Sequence, residues 1–194
     1  MTNSNLLKSV DELTNYLGHL TDDLIVMVEY PYVDKTYRDT YYNYYASKKD
    51  EYPRNSIRLS FLKTTLPDEF FRSGNAGHLK AIEENYLGFL ILRPTFPFII
   101  GRSLINPIAF KSDHLKICSV NYNSTINGLK AKARGFPHSS QDRETITCAE
   151  TTVWAIMEYF GNKYAEYSPV LPSEVNDVLG RFAFERLIPS TDCQ

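Results

Sequence analysis

Cys148 stands where a turn-rich stretch, Gly135-Phe-Pro-His-Ser-Ser, gives way to helical spacing, and Gln141 precedes it by seven positions. A cysteine attacks a carbonyl carbon as its thiolate. The positive end of a helix, with its unpaired N–H groups, favours that form. A glutamine amide just upstream reaches the same cavity and donates to a developing oxyanion. Thr147 with Glu150 three residues on is the capping-box pattern, in which each side chain satisfies the other residue's backbone N–H; it opens a helix at Cys148. The charge of Glu150 works mildly against thiolate formation, although the box turns it toward backbone N–H. These residue types offer nucleophilic attack on an acyl group, with Cys148 and Gln141 as the candidate catalytic residues.

The elements that must position them follow from periodicity. The cysteine helix carries an apolar stripe of Ala149, Val153, Ile156, Met157 and Phe160, and Gly161-Asn162 is expected to end it. Pro172-Ser-Glu-Val opens another helix, with Val175, Val178, Leu179 and Phe182 as its buried face. Upstream, Leu6, Leu7, Val10, Leu13 and Leu17 predict a helix over 4–17. The run from Leu24 to Tyr30 predicts a buried strand. Asp34 is placed to cap a helix to about Ala46, with Tyr37, Tyr41, Tyr44 and Tyr45 on one face. Residues 56–62 alternate, Ile57, Leu59 and Phe61 against Arg58 and Ser60, as a half-buried strand. A single helix, weakened by Gly74 and Gly77, is expected over 68–85, and strands over 87–92 and 99–105. Asn127-Gly128 joins 115–122 and 129–134 as a hairpin, with Leu129, Ala131 and Ala133 on one face and Lys130, Lys132 and Arg134 on the other. The expectation is an α+β protein: a mixed N-terminal unit over 1–134, and a second unit over 135–194 that carries the cysteine helix.

Around the candidate residues, QDRETITCAETTVWAIMEYFG resembles the active-site segment of papain-like cysteine peptidases. It looks most like the peptidase domains that cleave double-glycine leaders in bacterial bacteriocin exporters. In those a Gln is followed by Cys at the head of a helix that ends in an aromatic pair and Gly, the place taken here by Tyr159-Phe160-Gly161. The resemblance implies that Cys148 is the nucleophile, Gln141 the oxyanion donor, and residues 135–194 the first helices of a papain-like domain acting on a peptide or protein. Where the family usually has Asp-Cys-Gly, this chain has Thr147-Cys148-Ala149, and its Gln-to-Cys spacing is one residue longer than the commonest pattern. The family's base is a downstream His followed by Asp or Asn; no His follows Cys148. Two readings meet this: a truncated product, incomplete and inactive as it stands, or a relative that has lost catalysis.

Composition narrows the alternatives. The 194 residues carry a formal charge of −2, without the basic excess a general nucleic-acid binder uses, though a local basic patch stays open. The apolar region 86–110 is broken by Arg93, Pro94, Pro97 and Arg102, so no membrane span is expected, and the N-terminus is not a secretory signal. Cys118, Cys148 and Cys193 fit neither a disulfide framework nor a zinc pattern, which points to a reducing cytoplasm. No cofactor or metal is expected: His19, His78, His114 and His138 lack ligand spacing. His138 reads as a solvated turn residue, Asp142 as a turn residue, Cys118 as an inert strand residue, and Arg93 and Arg102 as salt-bridge partners. The competing reading is a non-catalytic protein- or peptide-binding module with a structural cysteine, its N-terminal unit rich in the 14 Tyr and 11 Phe. Nothing in the sequence bears on oligomeric state.

Overall fold

The structure is a computed structural model that describes residues 3–49, 51–112, 115–142, 144–145 and 147–182. His114, Cys193 and the stretch from residue 183 onward lie outside the described residues. Four antiparallel strands, β1 (Ile25–Tyr32), β2 (Ser56–Leu62), β3 (Tyr86–Leu92) and β4 (Ile100–Ile105), form a sheet in chain order. A separate hairpin, β5 (Val120–Ile126) and β6 (Leu129–Gly135), lies across it. Among the described residues six α-helices complete an α+β fold: α1 (Asn3–Gly18), α2 (Lys35–Asn43), α3 (Phe70–Ser73), α4 (Ala76–Asn85), α5 (Cys148–Lys163) and α6 (Pro172–Phe182). No helix among the described residues is long and apolar enough to cross a membrane.

Each face of the sheet has its own cluster. On one, α1 brings Leu13, Tyr16 and Leu17 against Leu59, Phe61, Leu87, Leu90 and Ile105. On the other, Ile82 of α4 and Tyr122, Ile126, Ala131 and Ala133 of the hairpin meet Phe89, Ile91 and Leu104. A bulge at Gly88 shifts the pairing of β3 and puts Tyr86 and Phe89 in the same cluster. Only glycine fits there: its φ is 126°, and a Cβ would lie 2.0 Å from the Leu104 carbonyl oxygen.

Covering both faces corrects two expectations about the strands. β2 is buried along nearly its whole length, Arg58 and Ser60 included, instead of half-buried. β1 is the sheet edge rather than a buried strand, and Val26 and Val28 remain 44% and 61% exposed. The 68–85 helix is two helices. Gly74 ends α3 in the left-handed region, and the Asn75 side chain then accepts from the Gly77 N–H at 2.8 Å to start α4. Asp34 caps α2, its Oδ2 accepting from the Tyr37 N–H at 2.9 Å, but the helix stops at Asn43 and Tyr45 sits in a 3₁₀ turn. The hairpin turns at Asn127 and Gly128, both with positive φ as a two-residue I′ turn requires. Its first arm starts at Val120, so Cys118 precedes the strand, exposed.

α5 runs to Lys163, beyond Gly161. A Cβ at Gly161 would lie 2.6 Å from the Pro169 nitrogen, so this glycine admits the returning chain and does not end the helix. The expected apolar stripe faces outward: Val153, Ile156, Met157 and Phe160 are exposed. The buried face is Glu150, Trp154, Ala155, Glu158 and Tyr159. On α6, Val175 is buried beside Trp154, whereas Val178 and Leu179 are exposed; the Phe182 side chain lies outside the described residues. α5 packs on β5 and α6 on α2, where Ser173 donates from its N–H and hydroxyl to Asp39 at 2.9 and 2.8 Å.

Candidate active site

Cys148 is the first residue of α5, with its thiol exposed. The capping box closes: the Thr147 N–H donates to Glu150 Oε2 at 2.7 Å, and the Thr147 side chain faces the Glu150 N–H. Two of the four first-turn donors are thereby engaged. Those of Cys148 and Ala149 stand outside the box.

The loop leading to this turn is held at three points. His138 and Ser103 exchange backbone hydrogen bonds, at 2.9 and 2.6 Å, so the loop leaves from the edge of β4. Arg93 Nη2 donates to the Ser140 carbonyl at 3.2 Å and to that of Ile100 at 2.7 Å, fastening the next residues to the same strand. Asp142, buried, then folds the chain into an Asx turn. Its Oδ1 accepts from the N–H groups of Glu144 and Thr145 at 3.0 and 2.7 Å. Its Oδ2 accepts from the Thr145 hydroxyl and, at 2.9 Å, from Tyr45 Oη. Burial, and then the carboxylate of Asp142, push the Tyr45 phenol well above its usual range, so it stays a proton donor. Asp142 is a turn residue, as its type suggested.

Gln141 sits half-buried between the Arg93-held Ser140 and the Asp142 turn. The two candidate residues are therefore at the two ends of one anchored segment. Among the described residues no hydrogen bond joins the Gln141 amide to Cys148. His138 is exposed, as expected, but it bridges to β4 at Ser103 instead of sitting in a turn. It lines a cavity of about 710 Å³ with Tyr16, His19, Ser103 and Phe136, and Cys148 is not part of that lining. Solvent reaches the ring through the cavity mouth, yet desolvation holds its imidazole below the usual range and hence neutral at pH 7. His78 pairs with the Ser73 hydroxyl at 2.5 Å and stacks on Phe70. No group of three or more His, Cys, Asp or Glu among the described residues is arranged to hold a metal ion.

Glu158, ten residues along α5 from Cys148, ends a buried charged chain that periodicity does not reveal. Asp34 Oδ1 accepts from Arg102 Nε and Nη2 at 3.0 and 2.6 Å; Arg102 Nη1 donates to Tyr122 Oη. The Tyr122 hydroxyl donates to Glu158 Oε1 at 2.9 Å, and Lys35 Nζ reaches the same oxygen at 3.0 Å. Burial opposes the charge on Arg102, and the Asp34 carboxylate, Tyr122 and Glu158 together more than offset this, so the guanidinium is held charged. The chain fixes α5 against α2, β4 and β5. Its one sequence signal was Arg102, read as a salt-bridge partner. Comparison with protein-family models, with curated proteins and with solved structures finds no match.

Proposed function

We propose that this chain carries the nucleophile of a papain-like cysteine peptidase or related amide hydrolase acting on a peptide or protein. The observation that supports this most directly is an exposed thiol at the first residue of a 16-residue helix whose approach loop is fastened at Ser103, Ser140 and Asp142. In this reading the Cys148 thiolate adds to the carbonyl carbon. The Cys148 N–H, outside the capping box, and the Gln141 amide hold the oxyanion. His138 is not assigned as base, because its cavity does not include Cys148. The setting proposed is a reducing, cytoplasmic one.

The exposed apolar stripe of α5 favours a second reading. Val153, Ile156, Met157 and Phe160 are 37–43% exposed, and Tyr164 and Tyr167 extend the same side. Such a face suits a protein or peptide partner, and the cysteine would then be structural. Among the described residues two thiols, Cys148 and Cys118, are free and exposed, and they separate the readings. Under limiting iodoacetamide at pH 7, with peptide mapping, Cys148 is expected to alkylate at least about tenfold faster than Cys118, as a cysteine nucleophile at a helix N-terminus does. Equal rates would remove the nucleophile reading and leave the binding module.

A further inference from the structure

A cavity of about 1020 Å³ opens between α4, the β5–β6 hairpin and the end of β1, and Cys148 is not part of its lining. Its floor is Arg58 of β2, 1% exposed. The guanidinium donates to Tyr32 Oη at 2.6 Å, Tyr86 Oη at 2.6 Å, Ser124 Oγ at 2.7 Å and Ser60 Oγ at 3.1 Å, and lies 4.4 Å from the centre of the Phe89 ring. Its ion-pair partner is Glu29, 3.4 Å away, so neutral oxygens take most of its donors.

A hydroxyl oxygen that accepts from a guanidinium keeps its own proton to give. Tyr32 and Ser124 both line the cavity; the Tyr32 O–H is a donor offered to whatever fills it, and the Ser124 hydroxyl is shared with Tyr86 Oη at 3.3 Å. The walls add charge. Six lining residues are basic, Arg58, Arg102, Lys35, Lys80, Lys130 and Lys132, against one acidic residue, Glu83, in a chain whose formal charge is −2. Asp34 answers Arg102 and Glu158 answers Lys35. At the rim, Lys132–Glu83 and Lys80–Glu84 are long, exposed pairs at 3.9 and 3.8 Å, worth little and free to open. Lys130 has no ion pair among the described residues. The local basic patch that the overall charge left open is here.

We propose that this cavity binds a phosphate-bearing small molecule of about mononucleotide size. The size lies at the upper end of small-molecule sites. The donor set selects phosphate over carboxylate. The Arg58 fork is filled by hydroxyls, so the planar bidentate grip that suits a carboxylate is not offered. What remains are the Tyr32 hydroxyl donor and mobile ammonium groups, which suit the several oxygens and higher charge of a phosphate. Leu79 and Ala131 leave an apolar wall for an organic portion.

Titration calorimetry with tripolyphosphate, ATP and citrate tests this on the full chain. The variant is Lys130→Glu/Lys132→Glu, whose side chains are exposed on β6, and its fold is checked by circular dichroism. Tripolyphosphate and ATP are expected to bind one per chain, and the variant to weaken both by about tenfold or more, as two charge reversals beside an anion imply. Tighter binding of ATP than of tripolyphosphate would assign the apolar wall to its base. Absence of binding, unchanged affinity in a folded variant, or citrate binding as tightly as tripolyphosphate would overturn the proposal.

Discussion

Arg102→Met is expected to destabilise the protein by about 3–5 kcal/mol, the usual cost of stripping one partner from a buried ion pair. Asp34 is 1% exposed at its side chain and accepts two guanidinium donors from Arg102. Methionine fills most of the volume but leaves that carboxylate buried and its charge unanswered. The loss spreads, because Asp34 also caps α2 and Arg102 also donates to Tyr122, which holds Glu158. Urea unfolding monitored by far-UV circular dichroism gives the number. Removing the charge on both sides with Arg102→Met/Asp34→Asn should recover part of the loss, because an asparagine still caps the helix. A loss below about 1 kcal/mol in the single variant would mean that water reaches the pair, contrary to its burial.

The second large effect concerns which side of α5 is inside. Trp154→Ala is expected to cost about 3–5 kcal/mol, the range for emptying a large aromatic site in a core. Trp154 is 2% exposed and lies with Ala155 and Val175 beside Phe136 and Val170, so it ties α5 to α6 and to the chain leaving β6. Ile156→Ser, two positions along, should cost less than about 1 kcal/mol, because Ile156 is 43% exposed. Thermal melting of the two variants checks the orientation. If Ile156→Ser were the costlier, α5 would be rotated and its outward stripe would be core.

The orientation of that stripe is set by residues far away in the chain. Val153, Ile156, Met157 and Phe160 have the spacing of a buried face, whereas the rival face of Trp154, Ala155 and Tyr159 also carries Glu150 and Glu158 and so looks the wetter one. The helix turns the other way because Glu158 finds Tyr122, 36 residues back, and Lys35, 123 residues back. Partners so distant leave no trace in a window of one helix. The same holds for β1 and β2. Their apolar content makes them strands, but whether each is edge or centre depends on where α1 and the hairpin settle, and alternation alone puts Arg58 on the solvent side of β2. What was legible was local. The Asn127-Gly128 turn, the Asp34 cap and the Thr147–Glu150 box each depend on side chains within a few residues of the backbone they serve. The position of Cys148 in the first turn belongs to this class, since the box alone determines it. The loop that presents Gln141 does not, because its fastenings come from Tyr45, Arg93 and Ser103.

The most direct test of Cys148 as nucleophile is acylation. p-Nitrophenyl acetate is mixed with the protein at neutral pH, and the modified residue is located by peptide mass mapping. The sulfur adds to the ester carbonyl and p-nitrophenolate leaves, so the thioester carries one added acetyl group. With no base assigned beside it, water attacks that thioester slowly, and the adduct should accumulate instead of turning over. The account predicts one acetyl group per chain, on Cys148, absent in Cys148→Ala and unchanged in His138→Ala. Acetylation shared equally between Cys148 and Cys118, or none at Cys148, would contradict it.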